Sequence, residues 1–178
     1  METIFKICGR KEELEESFKL RYEVFCLELR FLNPADFPAR RLRDDYDKWS
    51  IHFIAERSGR LIGTARLITA DENSKFLIEE SVSLPPVFNR EKTVEISRGA
   101  IKKECRKAGI AIRMLDYIYE FCKRAEFAHI LAFANEDMRR IYEKLEFPFA
   151  YKGESLIFNG YVTTPLIITV AKDFKVFH

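Results

Sequence analysis

One stretch constrains this chain more than any other. Between Thr93 and Leu145 an apolar run, a basic glycine loop, an amphipathic segment, a second apolar run and a second helical segment follow without a linker. Thr93–Ile101 and His129–Ala134 read as strands, the second of the buried type. Over Gly109–Arg124, Ile112, Leu115, Tyr119 and Cys122 fall on one side and Arg113, Asp116, Glu120 and Lys123 on the other. That spacing predicts a helix with one buried face. Asn135 is a good N-cap for a helix over Asp137–Leu145. This late βαβα succession predicts a mixed α/β domain.

The rest of the chain fits that class. Thr3–Cys8 is apolar enough to open a sheet. Glu12–Leu29 is helical in pattern, with Leu14, Phe18, Arg21 and Phe25 along one face. Arg21 therefore sits on an apolar stripe, where a charge needs a partner or a task. Ile51–Glu56 and Leu61–Ile68 read as strands joined by a turn at Arg57-Ser58-Gly59-Arg60. Residues 30–50 and 81–89, with their prolines, read as loops, and Val162–Val170 as a closing strand. With 178 residues, no repeat and no linker, a single domain over 1–178 is expected. Sixteen phenylalanines against one tryptophan indicate a Phe-rich core or a pocket for an apolar ligand.

Composition excludes several functions. A net charge of +2 argues against general nucleic-acid binding. No apolar run approaches the ~18 residues of a membrane span. The first ten residues carry Glu2 and no apolar core, so no secretory leader is expected. Cys8, Cys26, Cys105 and Cys122 show neither a CxxC pair nor metal spacing, and read as reduced thiols in a cytoplasmic protein. His52, His129 and His178 are scattered, so no metal site and no Ser-His-Asp triad is expected.

The chemistry concentrates in two places. In Arg106-Lys107-Ala108-Gly109-Ile110-Ala111, Gly109 and Ala111 let a ligand approach the backbone. The opening N–H groups and dipole of the following helix favour an anion there, and Arg106 and Lys107 add positive charge. The second place is a set of charges within apolar surroundings. Glu95 lies inside a strand, where burial raises a carboxyl pKa and a nearby arginine lowers it. It could take a proton from an amine. Asp44 and Asp47 could hold an ammonium group, and Arg21 and Arg66 could grip a carboxylate with a bidentate fork. The competing reading is a structural ion-pair network that orders the loop before the second strand.

The loop resembles the pyrophosphate loop of the GNAT acyltransferase superfamily, and Asn135 to Phe147 resembles that superfamily's second signature. The resemblance implies that Arg106, Lys107, Gly109, Ile110, Ala111 and Asn135 contact the donor. It implies that Tyr142 protonates a departing thiolate, unless that tyrosine is a core residue. The ordered series Arg21-Tyr22-Glu23-Val24-Phe25, Asp44-Asp45-Tyr46-Asp47, Gly63-Thr64-Ala65-Arg66-Leu67 and Val94-Glu95-Ile96-Ser97-Arg98 resembles acyl-homoserine-lactone synthases. Phe31–Pro38 is similar to the acyltransferases of exosortase/PEP-CTERM systems, relatives of the N-acyl amino acid synthases. The resemblance implies a three-layer αβα sandwich around a central mixed, splayed sheet. It assigns Glu95 as catalytic base, with Arg21, Phe25, Asp44, Asp47, Arg66 and Arg98 as the acceptor-side cluster. Direct aminolysis of a thioester, with the oxyanion on a strand N–H, needs no covalent enzyme intermediate. The donor is an acyl group on a carrier protein's phosphopantetheine or on coenzyme A. An acidic carrier protein could dock on Lys102, Lys103, Arg106, Lys107 and Arg113. The alternatives are an acetyl-CoA-dependent N-acetyltransferase and a non-catalytic acyl-binding domain.

Overall fold

The structure, a computed structural model, describes residues 2–69, 75–86 and 88–177, with only the backbone at 107–108. In chain order the strands and α-helices are β1 (Thr3–Ile7), α1 (Lys11–Tyr22), β2 (Ser50–Arg57), β3 (Arg60–Thr69), β4 (Thr93–Ile101), α2 (Ile110–Arg124), β5 (His129–Asn135), α3 (Glu136–Lys144), β6 (Phe149–Lys152), β7 (Leu156–Phe158) and β8 (Tyr161–Thr169). The strands form one mixed sheet in the order β1-β2-β3-β4-β5-β8-β6, with β7 also on β8. The β4–β5 pair is parallel, as a strand–helix–strand crossover requires. β8 runs antiparallel to β5, β6 and β7. No helix among the described residues is long and apolar enough to cross a membrane. By contact density the chain divides into two units, Met1–Leu67 with Arg98–Met114, and Ile68–Ser97 with Leu115–His178.

In the first unit, α1 opens with a capping box in which Glu13 accepts the N–H of the cap residue Arg10 at 3.2 Å, and that of Gly9 before it at 3.0 Å. The expected helix over Glu12–Leu29 does not stay α-helical. At Glu23–Glu28 it widens into a π turn, with the Leu29 N–H on the Val24 carbonyl at 2.9 Å. Phe25 lies within this wider turn, beyond the α-helical Leu14, Phe18 and Arg21. It packs against two clusters, Leu20/Val24/Ala100 and Tyr22/Cys26/Leu42. The β2–β3 turn has Ser58 and Gly59 at φ 52° and 71°, the left-handed pair that matches the twist of a two-residue hairpin.

In the second unit β5 is the buried strand expected. It pairs with β8 from His129↔Thr169 to Asn135↔Thr163. Its ladder with β4 runs only from Thr93↔His129 to Ile96↔Ala132, so β5 continues past the end of that ladder. Asn135 caps α3, its side-chain oxygen accepting the Met138 N–H at 2.9 Å. Part of the aromatic complement packs together here. Tyr119, Tyr142 and Phe174 all meet Phe147, with ring centroids 5.0 to 5.5 Å apart. The apolar cavity beside them is about 10 Å³, room for about one water and far too small for an acyl chain.

Candidate active site

The acidic motif before β2 folds into a 3₁₀ turn, Asp45–Trp49, capped by Asp44. The Asp47 Oδ2 accepts the Asp44 N–H at 2.9 Å, so the two carboxylates share one side while Asp45 projects outward. Arg21 comes from α1 and donates to Asp47 Oδ1 at 2.7 Å. Arg66 comes from β3 and donates to the same oxygen at 2.8 Å and to Asp44 at 2.5 and 3.2 Å. Arg98 donates to Asp44 Oδ2 through Nε and Nη2 at 3.3 and 3.0 Å. It sits at φ 53° on β4, a conformation unfavourable for a side-chain-bearing residue and common near functional sites. Its guanidinium lies 5.9 Å from the Phe25 ring centroid.

The network is graded in depth. The Arg21 and Arg66 side chains are 0% exposed and Asp47 4%, whereas Arg98 is 16% and Asp44 25% exposed. Burial alone would raise both aspartates. Arg66 and Arg98 hold Asp44 below its usual value instead, and Arg21 and Arg66 do the same for Asp47. Burial pulls the Arg21 guanidinium down to about 10, with Asp47 opposing and Arg66 adding to the shift; it stays charged at neutral pH. The expectation that Arg21 and Arg66 would grip a substrate carboxylate is therefore revised. Both guanidinium groups are out of solvent, Arg66 donating to Asp44 and Asp47 and Arg21 to Asp47 and His52, and the more exposed members of the network are Arg98 and Asp44.

His52 was not among the expected site residues. It sits on β2 at 8% exposure, with Nδ1 2.9 Å from Arg21 Nη2 and Nε2 3.3 Å from the Asp47 carbonyl. The only sequence signal was a polar residue between Ile51 and Phe53 in an apolar strand. Burial and the Arg21 charge push its pKa below the usual histidine value.

The glycine loop joins β4 to α2 through a 3₁₀ segment, Lys103–Ala108. Gly109 sits at φ +69°, and a Cβ there would meet no atom within 4 Å. Glycine is thus required by the backbone turn rather than by crowding. Ile110 is buried and anchors the start of α2, while Ala111 is half-buried. Arg106 differs from expectation. It is clasped by Glu28 at 2.5 and 2.6 Å, and its Nε donates to the Ile101 carbonyl at 3.0 Å. Its charge is neutralised within the protein. The Lys107 side chain lies outside the described residues. Lys103 and Arg113 are exposed and Lys102 half-buried; Arg113 also lies 5.0 Å from the Phe5 ring centroid.

In the second unit Glu95 is 1% exposed, and its Oε2 accepts the Ile78 N–H at 3.1 Å. That N–H belongs to a turn, Leu77–Glu80, that sequence reading left unassigned. Glu79 binds the Phe76 N–H at 2.9 Å and the Arg90 guanidinium, fixing this turn. Tyr142 is 3% exposed and enclosed by Leu115, Ile118, Phe147 and Ile168. Burial pushes its phenol pKa upward. This is the setting of a packing residue, and a thiolate would have to penetrate that shell to reach it. Among the described residues no cluster of metal-ligating side chains occurs.

Residues 20–116 match the family model described as an acetyltransferase (GNAT) domain. No curated protein matches the chain in sequence. Among solved structures, the CoA-dependent acyl-homoserine lactone synthase BjaI, with SAM and isopentyl-CoA, aligns with a TM-score of 0.83 at 18% identity, covering 97% of this chain and 86% of that one. The acyl-homoserine lactone synthase LasI aligns at 0.77 and 14% identity, covering 97% and 92%. An acyl-CoA N-acyltransferase from Pseudomonas aeruginosa aligns at 0.64 and 16% identity, covering 93% and 97%. At these identities the likeness is one of fold.

Proposed function

Because the chain belongs to the acetyltransferase (GNAT) domain family, we propose that it moves an acyl group, long-chain rather than acetyl, from a thioester to the amine of an amino acid. The observation that carries the acceptor class is the accessible end of the charge network. There one cation, Arg98, and one anion, Asp44, stand 3.0 Å apart. A free amino acid carries one charge of each sign, so its carboxylate complements Arg98 and its ammonium complements Asp44. The buried Arg21, Asp47 and Arg66 hold that pair in place.

The reaction is aminolysis. The ammonium loses one proton to the base, its nitrogen bonds the acyl carbon, and the C–S bond breaks to release a thiolate; the second nitrogen proton passes to that thiolate or to water, leaving the neutral amide. Glu95, a strand-borne buried carboxylate, is the proposed base. Thiols ionise near pH 8.5, so the leaving group is competent without Tyr142 as acid. Gly109 and the opening turn of α2 are proposed to hold the donor's phosphate, with Asn135 beside the pantetheine arm. Coenzyme A and a carrier protein's phosphopantetheine offer the same chemistry. The BjaI likeness supports the first, and the exposed Lys103 and Arg113 support an acidic carrier. A cytoplasmic setting and a single catalytic domain complete the proposal.

The test supplies decanoyl-coenzyme A or decanoyl carrier protein with the twenty amino acids and S-adenosylmethionine, and identifies products by mass spectrometry. N-decanoyl amino acids are expected. Glu95→Gln should lower kcat about 100-fold, with partial recovery at high pH where free amine is abundant. Transfer from acetyl-coenzyme A alone would select the N-acetyltransferase reading. Donor binding without turnover would select the non-catalytic one.

A further inference from the structure

We propose that His52 is a positioning residue, whose neutral imidazole locks Arg21 and through it the charge network that ends at Asp44 and Arg98. Arginine has no acceptor atom, so the 2.9 Å contact between Arg21 Nη2 and His52 Nδ1 requires a lone pair on Nδ1. The proton must then sit on Nε2, which faces the Asp47 carbonyl at 3.3 Å. The other tautomer, and the imidazolium, would each set an N–H against an N–H in a buried site.

Through these bonds His52 governs one end of a continuous chain. Arg21 divides its fork between His52 and Asp47 Oδ1, and the same oxygen receives Arg66 at 2.8 Å. Arg66 in turn grips Asp44, whose other oxygen receives Arg98. The charged groups facing the imidazole are Arg21 from α1, Asp47 from the 3₁₀ turn and, further along, Arg66 from β3. Phe18 stands edge-on at 5.9 Å. Cys8, just after β1, touches the His52 backbone, its N–H on the His52 carbonyl at 2.7 Å.

A loss of Arg21 orientation propagates to the pair that would bind the acceptor. Acidification should therefore weaken acceptor binding through a residue that never touches the acceptor. This rests on the reading of Asp44 and Arg98 as the acceptor pair, while the tautomer and its titration do not.

The experiment has two arms. The chain has three histidines, so ¹⁵N-histidine labelling gives a short spectrum that His52→Gln assigns. His52 should be the Nε2–H tautomer, with a midpoint below the ordinary value of about 6.5. An Nδ1–H tautomer, or a midpoint at or above that value, overturns the proposal. The second arm measures KM against pH for whichever of the twenty amino acids the parent uses best with decanoyl-coenzyme A. His52→Phe, which removes the acceptor nitrogen, should raise KM about tenfold, about 1.4 kcal/mol, at nearly constant kcat. His52→Gln, whose amide oxygen can receive Arg21, should keep the parent's KM and lose the acid dependence. An unchanged KM in His52→Phe overturns the positioning role. If the parent forms no acyl amino acid, the acyl-transfer reading fails and the tautomer alone decides whether His52 locks Arg21. If His52→Phe does not fold, His52→Gln decides: acid dependence retained in that variant overturns the proposal.

Discussion

Asp47→Asn is the most informative perturbation of the charge network. Asp47 Oδ1 receives Arg21 and Arg66 at 2.7 and 2.8 Å, and Oδ2 receives the Asp44 N–H at 2.9 Å. The substitution keeps the shape, removes the charge and replaces one acceptor by a donor. A guanidinium that is 0% exposed then loses its carboxylate. Hydrogen bonds to charged groups contribute about 1.5–3 kcal/mol each, and removing one partner of a buried pair costs about 3–5 kcal/mol. We expect a loss of about 4 kcal/mol. At about 2–4 °C per kcal/mol for a chain of this size, Tm should fall by roughly 8–16 °C. Thermal unfolding followed by circular dichroism measures it, with Asp45→Asn as the control, since the Asp45 side chain is 89% exposed. The pH dependence gives a second reading. Asp44 and Asp47 are held below their usual 3.8. Their contribution is therefore full above the unfolded value and is lost as pH falls through the lower folded ones. Asp47→Asn should flatten that acid loss. A variant within about 2 °C of the parent, with an unchanged acid profile, would refute the claim that Asp47 neutralises buried cations.

Four further outcomes are expected. Gly109→Ala should cost about 1 kcal/mol of stability through its positive φ alone. Gly109→Glu should in addition weaken coenzyme A binding tenfold or more in calorimetry, and equal affinity in the two variants would remove the phosphate from this loop. Tyr142→Phe should turn over at the parent's rate, and a large fall in kcat with the fold intact would make the phenol the acid after all. Glu28→Gln releases the Arg106 charge and should tighten coenzyme A binding; weaker binding would mean that the clasp itself shapes the loop.

What could be read from the sequence was what is locally encoded. The β2–β3 turn, the amphipathic α2 and the Asn135 cap of α3 each depend on residues within a few positions of one another, and each lies where expected to within about two residues. The π turn at Glu23–Glu28 escaped, because a single 3.6-residue period fits Glu12–Leu29 almost as well as an α-helix that widens midway. β6 and β7 escaped because short strands carry little pattern of their own and are held by pairing to β8.

The same division holds for the site. The sequence by itself determined that Arg21 lies on an apolar stripe and must find a carboxylate, because an unpaired buried charge is prohibitive. It also determined that Glu95 lies in a strand and that a glycine opens α2. It could not determine which charges meet. Arg21 and His52 are 31 residues apart and Arg106 and Glu28 are 78 apart, and no local preference links such pairs. Packing alone turned Arg21 and Arg66 inward, left Asp44 and Arg98 at the accessible end, and walled in Tyr142. Side-chain charge is a property of the residue, whereas its partner, its burial and hence its proton affinity belong to the folded surroundings.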